Sequence, residues 1–183
     1  MSENNKRISE NNKRIAVLAL LAAMGLLLSM ISFALLPSVP FLKYDPSHIV
    51  FYIAAFLYGP WWGFLVVCVS TLLQFITGTM SGGPVGLIMY FAAASAVVLI
   101  SGILYQRKKT LKRALIALLM AWIGLVAVMI PLNLWLMPVY NNLPVQAVIE
   151  LLLPAIIPFN ALKGGLNALL TFLLYKRVSR LLK

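Results

Sequence analysis

Acid is the scarcest component of this sequence. Four carboxylates, Glu3, Glu10, Asp45 and Glu150, stand in 183 residues against fifteen lysines and arginines. From Pro46 to Gln106 there is no Lys, Arg, Asp or Glu at all. So few acids leave no paired carboxylates for acid–base work or metal binding, and the one histidine, His48, has no cluster to join. A single cysteine, Cys68, excludes an intramolecular disulfide and a thiolate metal cluster, and inside an apolar run it reads as packing. There is no phosphate-cradling Gly-Lys-Ser/Thr loop, so any use of ATP has to come from other subunits. Catalysis is poorly provided for, and no cofactor is called for.

What the chain has instead is apolar surface. Hydrophobic residues make up 62% of it and the mean hydropathy is +0.97, far above what a soluble domain can carry. The net charge of +11 raises the question of nucleic acid, but the placement of the charges answers it. Thirteen of the fifteen basic residues fall in three clusters: Lys6, Arg7, Lys13, Arg14; Arg107, Lys108, Lys109, Lys112, Arg113; and Lys176, Arg177, Arg180, Lys183. Each flanks a long apolar run, the pattern of cytoplasmic ends under the positive-inside rule, so a lipid bilayer is the partner implied and nucleic acid is not. The stretch Ile15–Leu42 is uncharged for 28 residues without a clear small-residue cleavage site, which predicts a retained membrane helix and not a signal peptide.

Residues 2–8, SENNKRI, recur unchanged as residues 9–15. This basic segment, residues 1–15, is expected on the cytoplasmic side, either extending the first helix or disordered, with an anionic-lipid anchor as the alternative role. A span needs about 20 apolar residues. Residues 16–36 supply the first, ended by Pro37 and Pro40. The breakers Gly59-Pro60-Trp61-Trp62-Gly63 and Thr77–Pro84 divide the next stretch into helices over 47–59, 62–77 and 84–105. The second of these three is short for a crossing and is expected to be shielded by neighbours or joined to an entering loop, with Trp61 and Trp62 at an interface. A fifth helix over 114–137, a Pro/Asn-rich segment 138–150 and a sixth helix over 151–175 complete an all-α bundle of six transmembrane helices, residues 16–183. Both termini and the 106–113 turn then face the cytoplasm, and the 37–46, 77–84 and 138–150 loops face outward.

Two basic residues break the pattern, Lys43 in the first outer loop and Lys163 inside the sixth apolar segment. A lysine at membrane depth costs on the order of 2.5–3.5 kcal/mol and marks a functional site by default. On a helix, Asn160, Lys163 and Asn167 share one stripe, with Gly164 and Gly165 beside it, and Asn133 of the fifth helix is able to face them. The two asparagines also fit a purely adhesive role between helices, with Lys163 snorkelling outward. The lysine between them favours an outward-opening pocket. In the first helix Ala19 and Ala23, with Ala16, Ala22 and Gly25 nearby, have the small-xxx-small spacing that lets another helix approach.

Three stretches carry a resemblance over the whole chain after residue 15: Phe41-Leu-Lys-Tyr-Asp-Pro46, Phe56-Leu-Tyr-Gly-Pro60 and Ile157-Pro-Phe-Asn-Ala-Leu-Lys-Gly164. Together they resemble the riboflavin-specific S-components, the substrate-binding subunits of energy-coupling factor (ECF) vitamin transporters of prokaryotic cell membranes. The resemblance implies a transported substrate, riboflavin, and no bound cofactor. It also implies a transmembrane coupling protein and two cytoplasmic ATPases as partners, the first contacted through Ala19 and Ala23. Riboflavin would lie between the outer loops and the outer ends of helices four to six. Asn133, Asn160 and Lys163 would be at its polar edge, and the loop with Lys43, Tyr44 and Asp45 would cover it; Asn167, from the Lys163 stripe, and Met80, in the 77–84 outer loop, complete the expected binding residues. Its flat ring suits an apolar slot with amide and cationic donors on one edge. An S-component for another vitamin or precursor would share all but the pocket. A self-sufficient transporter would need internal repeats or a coupled ionisable pair within the spans.

Overall fold

A computed structural model of the chain describes residues 3–178 apart from Ser38, Phe41 and Ser81, and the side chains of all these but Glu3, Asn4, Asn141, Lys176, Arg177 and Val178. Phe41 of the first motif and Arg180 and Lys183 of the C-terminal basic cluster therefore lie outside the described residues, as do the side chains of Lys176 and Arg177. The elements in order are α1 (Glu3–Ser29), β1 (Phe33–Ala34), β2 (Lys43–Tyr44), α2 (Ser47–Tyr58), α3 (Pro60–Ile76), α4 (Gly83–Gln106), α5 (Leu111–Asn141), α6 (Val145–Leu151), a π-helical turn (Leu152–Ile156) and α7 (Ile157–Val178). With α6, the turn and α7 as one run, the architecture is the expected all-α bundle of six helices. Among the described residues four runs are long and apolar enough to cross a membrane, and α2 and α3 are shorter.

The helix limits depart from the sequence expectation in four places. Helix α1 ends at Ser29 and not at residue 36, because β1 pairs antiparallel with β2, Phe33 opposite Tyr44, and draws the chain out of the helix before either proline is reached. Pro37 and Pro40 fall in the turn of that hairpin. The N-terminal duplication continues α1 from Glu3 without a break, the first of the two forms expected for it. Helix α5 runs on to Asn141 with Pro131 and Pro138 inside it, since prolines are accommodated in membrane helices whose neighbours satisfy the freed carbonyls. The segment 138–150 is thus mostly helix, with only residues 142–144 as link. Pro154 is absorbed by the wider π-helical turn, so α6 and α7 continue one another where a fresh helix entry was expected.

Helix α2 is the centre of the bundle. At twelve residues it spans only about 18 Å, well short of a bilayer core. It is buried nearly all round, so neighbours and not lipid surround it. On one side Val50, Phe51, Ala54 and Ala55 pack with Leu18, Leu21 and Ala22 of α1 and Val66 and Val67 of α3. On the other, Tyr52 and Phe56 join Tyr105 of α4, a run of small and leucine side chains on α5, and Ala168 and Tyr175 of α7. Its last carbonyls, those of Ala55 and Phe56, accept hydrogen bonds from the Gln106 side-chain amide at 3.4 and 3.1 Å. Helix α3 differs from expectation in being unshielded on one side: Trp61, Leu65, Val69, Leu72 and Ile76 form an exposed apolar stripe that suits lipid. Trp62 lies instead under the Arg14 guanidinium of α1, 4.5 Å from its carbon to the ring centre.

Two close approaches set the spacing of the helices. A side chain at Gly102 of α4 would meet the Pro60 backbone at 2.7 Å, and one at Gly164 of α7 would meet the Trp122 ring of α5 at 2.6 Å. Trp122 also donates its indole N–H to the Ala161 carbonyl at 2.8 Å, which sets α7 against α5. Because the obstacle at residue 102 is backbone, Gly102→Val is expected to cost at least about 1–3 kcal/mol. A thermal unfolding scan of the detergent-solubilised variant checks this as a lowered midpoint.

Candidate functional site

The end of the bundle that carries the β-hairpin, the α3–α4 loop and the α5–α6 link encloses a cavity of about 730 Å³, within the range of small-molecule sites. Its walls are mostly apolar: Met80, Val85 and Met89 on the α3–α4 loop and α4, Met129 and Met137 on α5, and Leu151 and Phe159 from the last run. Methionine-rich walls adapt to a ligand's outline at little cost. Polar groups are few and distributed: Ser29 at the end of α1 and Ser32 beyond it, Lys43 and Asp45 of the first loop, Gln74 in the last turn of α3 and Thr79 in the loop after it, Tyr90 of α4, Asn133 and Tyr140 of α5.

Asp45 organises one wall. It is 6% exposed, and its Oδ2 accepts a hydrogen bond from Lys163 Nζ at 2.8 Å, a buried ion pair between the first loop and α7. Its Oδ1 accepts the Ser47 N–H at 3.1 Å and the Ser47 hydroxyl, and receives the Tyr90 hydroxyl at 3.5 Å. Its backbone carbonyl accepts from the Asn167 amide at 3.2 Å. The carboxylate thus sits at the N-terminus of α2, where helix N–H groups and dipole favour negative charge. Burial alone would raise the Asp45 pKa, but the Lys163 ammonium and the hydrogen bonds from Lys163 and Ser47 outweigh it and hold the carboxyl below the ordinary carboxylate value. Tyr44 beside it has its phenol pushed up, by burial first and by the Asp45 charge second, and stays neutral.

Four of the residues singled out in the sequence, Lys43, Asp45, Met80 and Asn133, line the cavity. Asn133 is almost fully buried, with its amide N–H donated to the Met129 carbonyl at 2.7 Å. Lys163 and Asn167 are one layer back, both on Asp45, and Asn167 also donates to the Lys163 carbonyl at 3.0 Å. Asn160 donates to Ile156 at 2.8 Å and is buried. Tyr44 packs its ring 5.3 Å from that of Phe33 across the hairpin. Gly164 and Gly165 face Trp122 and so belong to the α5 contact, not to the polar stripe. Ala19 and Ala23 are exposed on the outside of α1.

Sequence reasoning missed three residues of this region. Tyr90 and Gln74, joined by a 3.3 Å hydrogen bond, carry no local signal beyond being polar in apolar helices. His48 is fully buried between Phe51 and Tyr90, ring centres 5.8 and 5.5 Å away, with neither ring nitrogen hydrogen-bonded. Among the described residues no three His, Cys, Asp or Glu side chains come together to hold a metal ion.

A membrane helical bundle with a largely apolar cavity at one end has the architecture of a membrane protein that takes a small molecule. The family described as "ECF transporter, substrate-specific component" matches residues 13–175, and the chain belongs to it. It is therefore a membrane transporter component of prokaryotic type and not an enzyme. Among its relatives, the riboflavin transporter RibU of Staphylococcus aureus is 30% identical over 91% of this chain and 90% of that protein. The riboflavin transporter FmnP of Bacillus subtilis is 29% identical over 82% of this chain and 83% of that protein. A solved structure titled "Structure and mechanism of the S component of a bacterial ECF transporter" is 30% identical, with a TM-score of 0.75, covering 94% of this chain and 99% of that one.

The Asp45–Lys163 pair yields a pH prediction. A folded pKa below the unfolded one means that the pair's contribution is complete above the ordinary carboxylate range, about pH 4, and is lost as pH falls through the depressed folded value. Asp45→Asn leaves Lys163 buried without its counter-ion and is expected to cost about 3–5 kcal/mol at neutral pH. Unfolding midpoints measured across acidic to neutral pH should fall more steeply for the parent protein than for the variant, converging in acid.

Proposed function

We propose that this chain captures riboflavin from outside the cell and delivers it inward as the substrate-binding subunit of an ATP-driven ECF importer. The observation that carries the reading is the cavity: an apolar, methionine-walled space with a few fixed amide and hydroxyl groups and no uncompensated carboxylate at its wall. A neutral tricyclic flavin needs such a slot for its ring, donors and acceptors for its carbonyl and nitrogen edge, and hydroxyl partners for the ribityl chain. The riboflavin named in the two relatives' descriptions supports the same ligand.

In this reading Lys43, Asp45, Met80 and Asn133 contact the ligand directly, and Tyr44, Asn160, Lys163 and Asn167 support those contacts. The basic ends of the bundle, with both termini, face the cytoplasm, and the cavity faces outward. ATP hydrolysis comes from two cytoplasmic subunits through a transmembrane coupling protein. That protein docks on the outer face of α1, where Ala19 and Ala23 leave room for a helix.

Two measurements test the reading. Purified protein should carry a flavin absorbance spectrum, or as ligand-free protein quench riboflavin fluorescence saturably; folded protein that does neither requires another ligand. Asn133→Ala should weaken the binding about tenfold, since a lost hydrogen bond leaves polar groups unpaired. Ala19→Trp should leave binding intact and abolish uptake into cells, and normal uptake would exclude that face as the docking site.

A further inference from the structure

Tyr90 belongs to two structures at once. It lines the cavity, and it is wired into the buried pair that anchors the first loop. Its hydroxyl hydrogen-bonds with Ser47 at the start of α2, accepts the Gln74 amide at 3.3 Å and reaches Asp45 at 3.5 Å. Its ring centre is 5.2 Å from Lys163 Nζ, within cation–π range. One α4 side chain therefore touches both members of the ion pair, from the side on which a ligand would sit.

Tyr44, next to Asp45, is buried and packs on Phe33, a contact internal to the first loop. The β-hairpin is two residues long on each strand, and Lys43 is exposed. The tie between this loop and α7 is made by Asp45, through Lys163 and Asn167. We propose that Tyr90 is the positioning residue through which an occupied cavity keeps the first loop closed: its ring meets the ligand, and its hydroxyl and π face hold the Asp45–Lys163 pair that fastens Lys43–Ser47 to α7. This rests on the cavity being the ligand site. A ligand that restricts the Tyr90 ring strengthens the latch, and by reciprocity the latch strengthens ligand binding by the same factor.

Tyr90→Phe keeps the ring and removes the hydroxyl, which separates the latch from the shape of the cavity. In ligand-free protein, hydrogen exchange of residues 42–48 should become faster in this variant while exchange in α5 stays at the parent value. Riboflavin release should accelerate about three- to tenfold, the equivalent of one hydrogen bond, with association little changed. The double variant Tyr90→Phe/Asp45→Asn should release no faster than Asp45→Asn alone, because both act through one latch. Loop exchange and release unchanged in Tyr90→Phe, or effects that multiply in the double variant, would overturn the proposal. If Tyr90→Phe does not yield folded protein, Gln74→Leu removes the amide donated to the Tyr90 hydroxyl and is read in the same way. Parent protein that binds no riboflavin would refute the ligand assignment alone, and the ligand-free exchange comparison still decides the latch.

Discussion

The ion pair between Asp45 and Lys163 is the constraint on which the cavity end of the molecule rests. Each group would be prohibitively costly to bury by itself, a carboxylate beneath a loop and an ammonium within an apolar helix. Together they neutralise one another, with Ser47 and Tyr90 donating to the carboxylate, the Tyr90 ring beside the ammonium and Asn167 holding the Asp45 backbone carbonyl. The pair joins points 118 residues apart. It thereby fixes the start of α2, the placement of α7 and the roof of the cavity with one contact, and a change at either end is felt at the other two.

The bilayer imposes the second constraint. A helix facing lipid has to satisfy its backbone along its whole length, which α4, α5 and the α6–α7 run do by being long. Helix α2 is too short for that and is placed where lipid does not reach it, with Gln106 adding a side-chain donor to its Ala55 and Phe56 carbonyls. Its central position lets its first turn carry the Asp45 cap and its flanks serve both halves of the core. The site is thus supported from the most enclosed element of the fold.

Much of this was legible in the sequence because membrane proteins obey few and strong rules. Uncharged runs and their breakers located six helices, and the cost of a lysine at depth singled out Lys163 before any partner was known. The partner itself was not legible: a loop aspartate and a helix lysine 118 residues apart share no periodicity, and pairing across a fold is a property of packing. Helix limits were misjudged at Pro138 and Pro154, because neighbours and a π-helical turn can supply what proline removes, and at the end of α1, where the hairpin draws the chain out before Pro37 is reached. Tyr90 was invisible for a different reason. An aromatic in an apolar helix is ordinary, and only the positions of Asp45, Ser47 and Lys163 around it give it a role.

The duplicated heptad at the start of α1 has a geometric consequence of its own. Seven residues turn an α-helix through about 700°, some 20° short of two full revolutions. Copying SENNKRI once lengthens α1 by about 10 Å and superposes Lys13 and Arg14 almost directly over Lys6 and Arg7, without rotating anything that follows. An insertion of five or six residues would have sent the copied charges around to another side. This one is phase-neutral: the helix has grown along its axis as a ruler grows, and the faces of the bundle have kept their bearings.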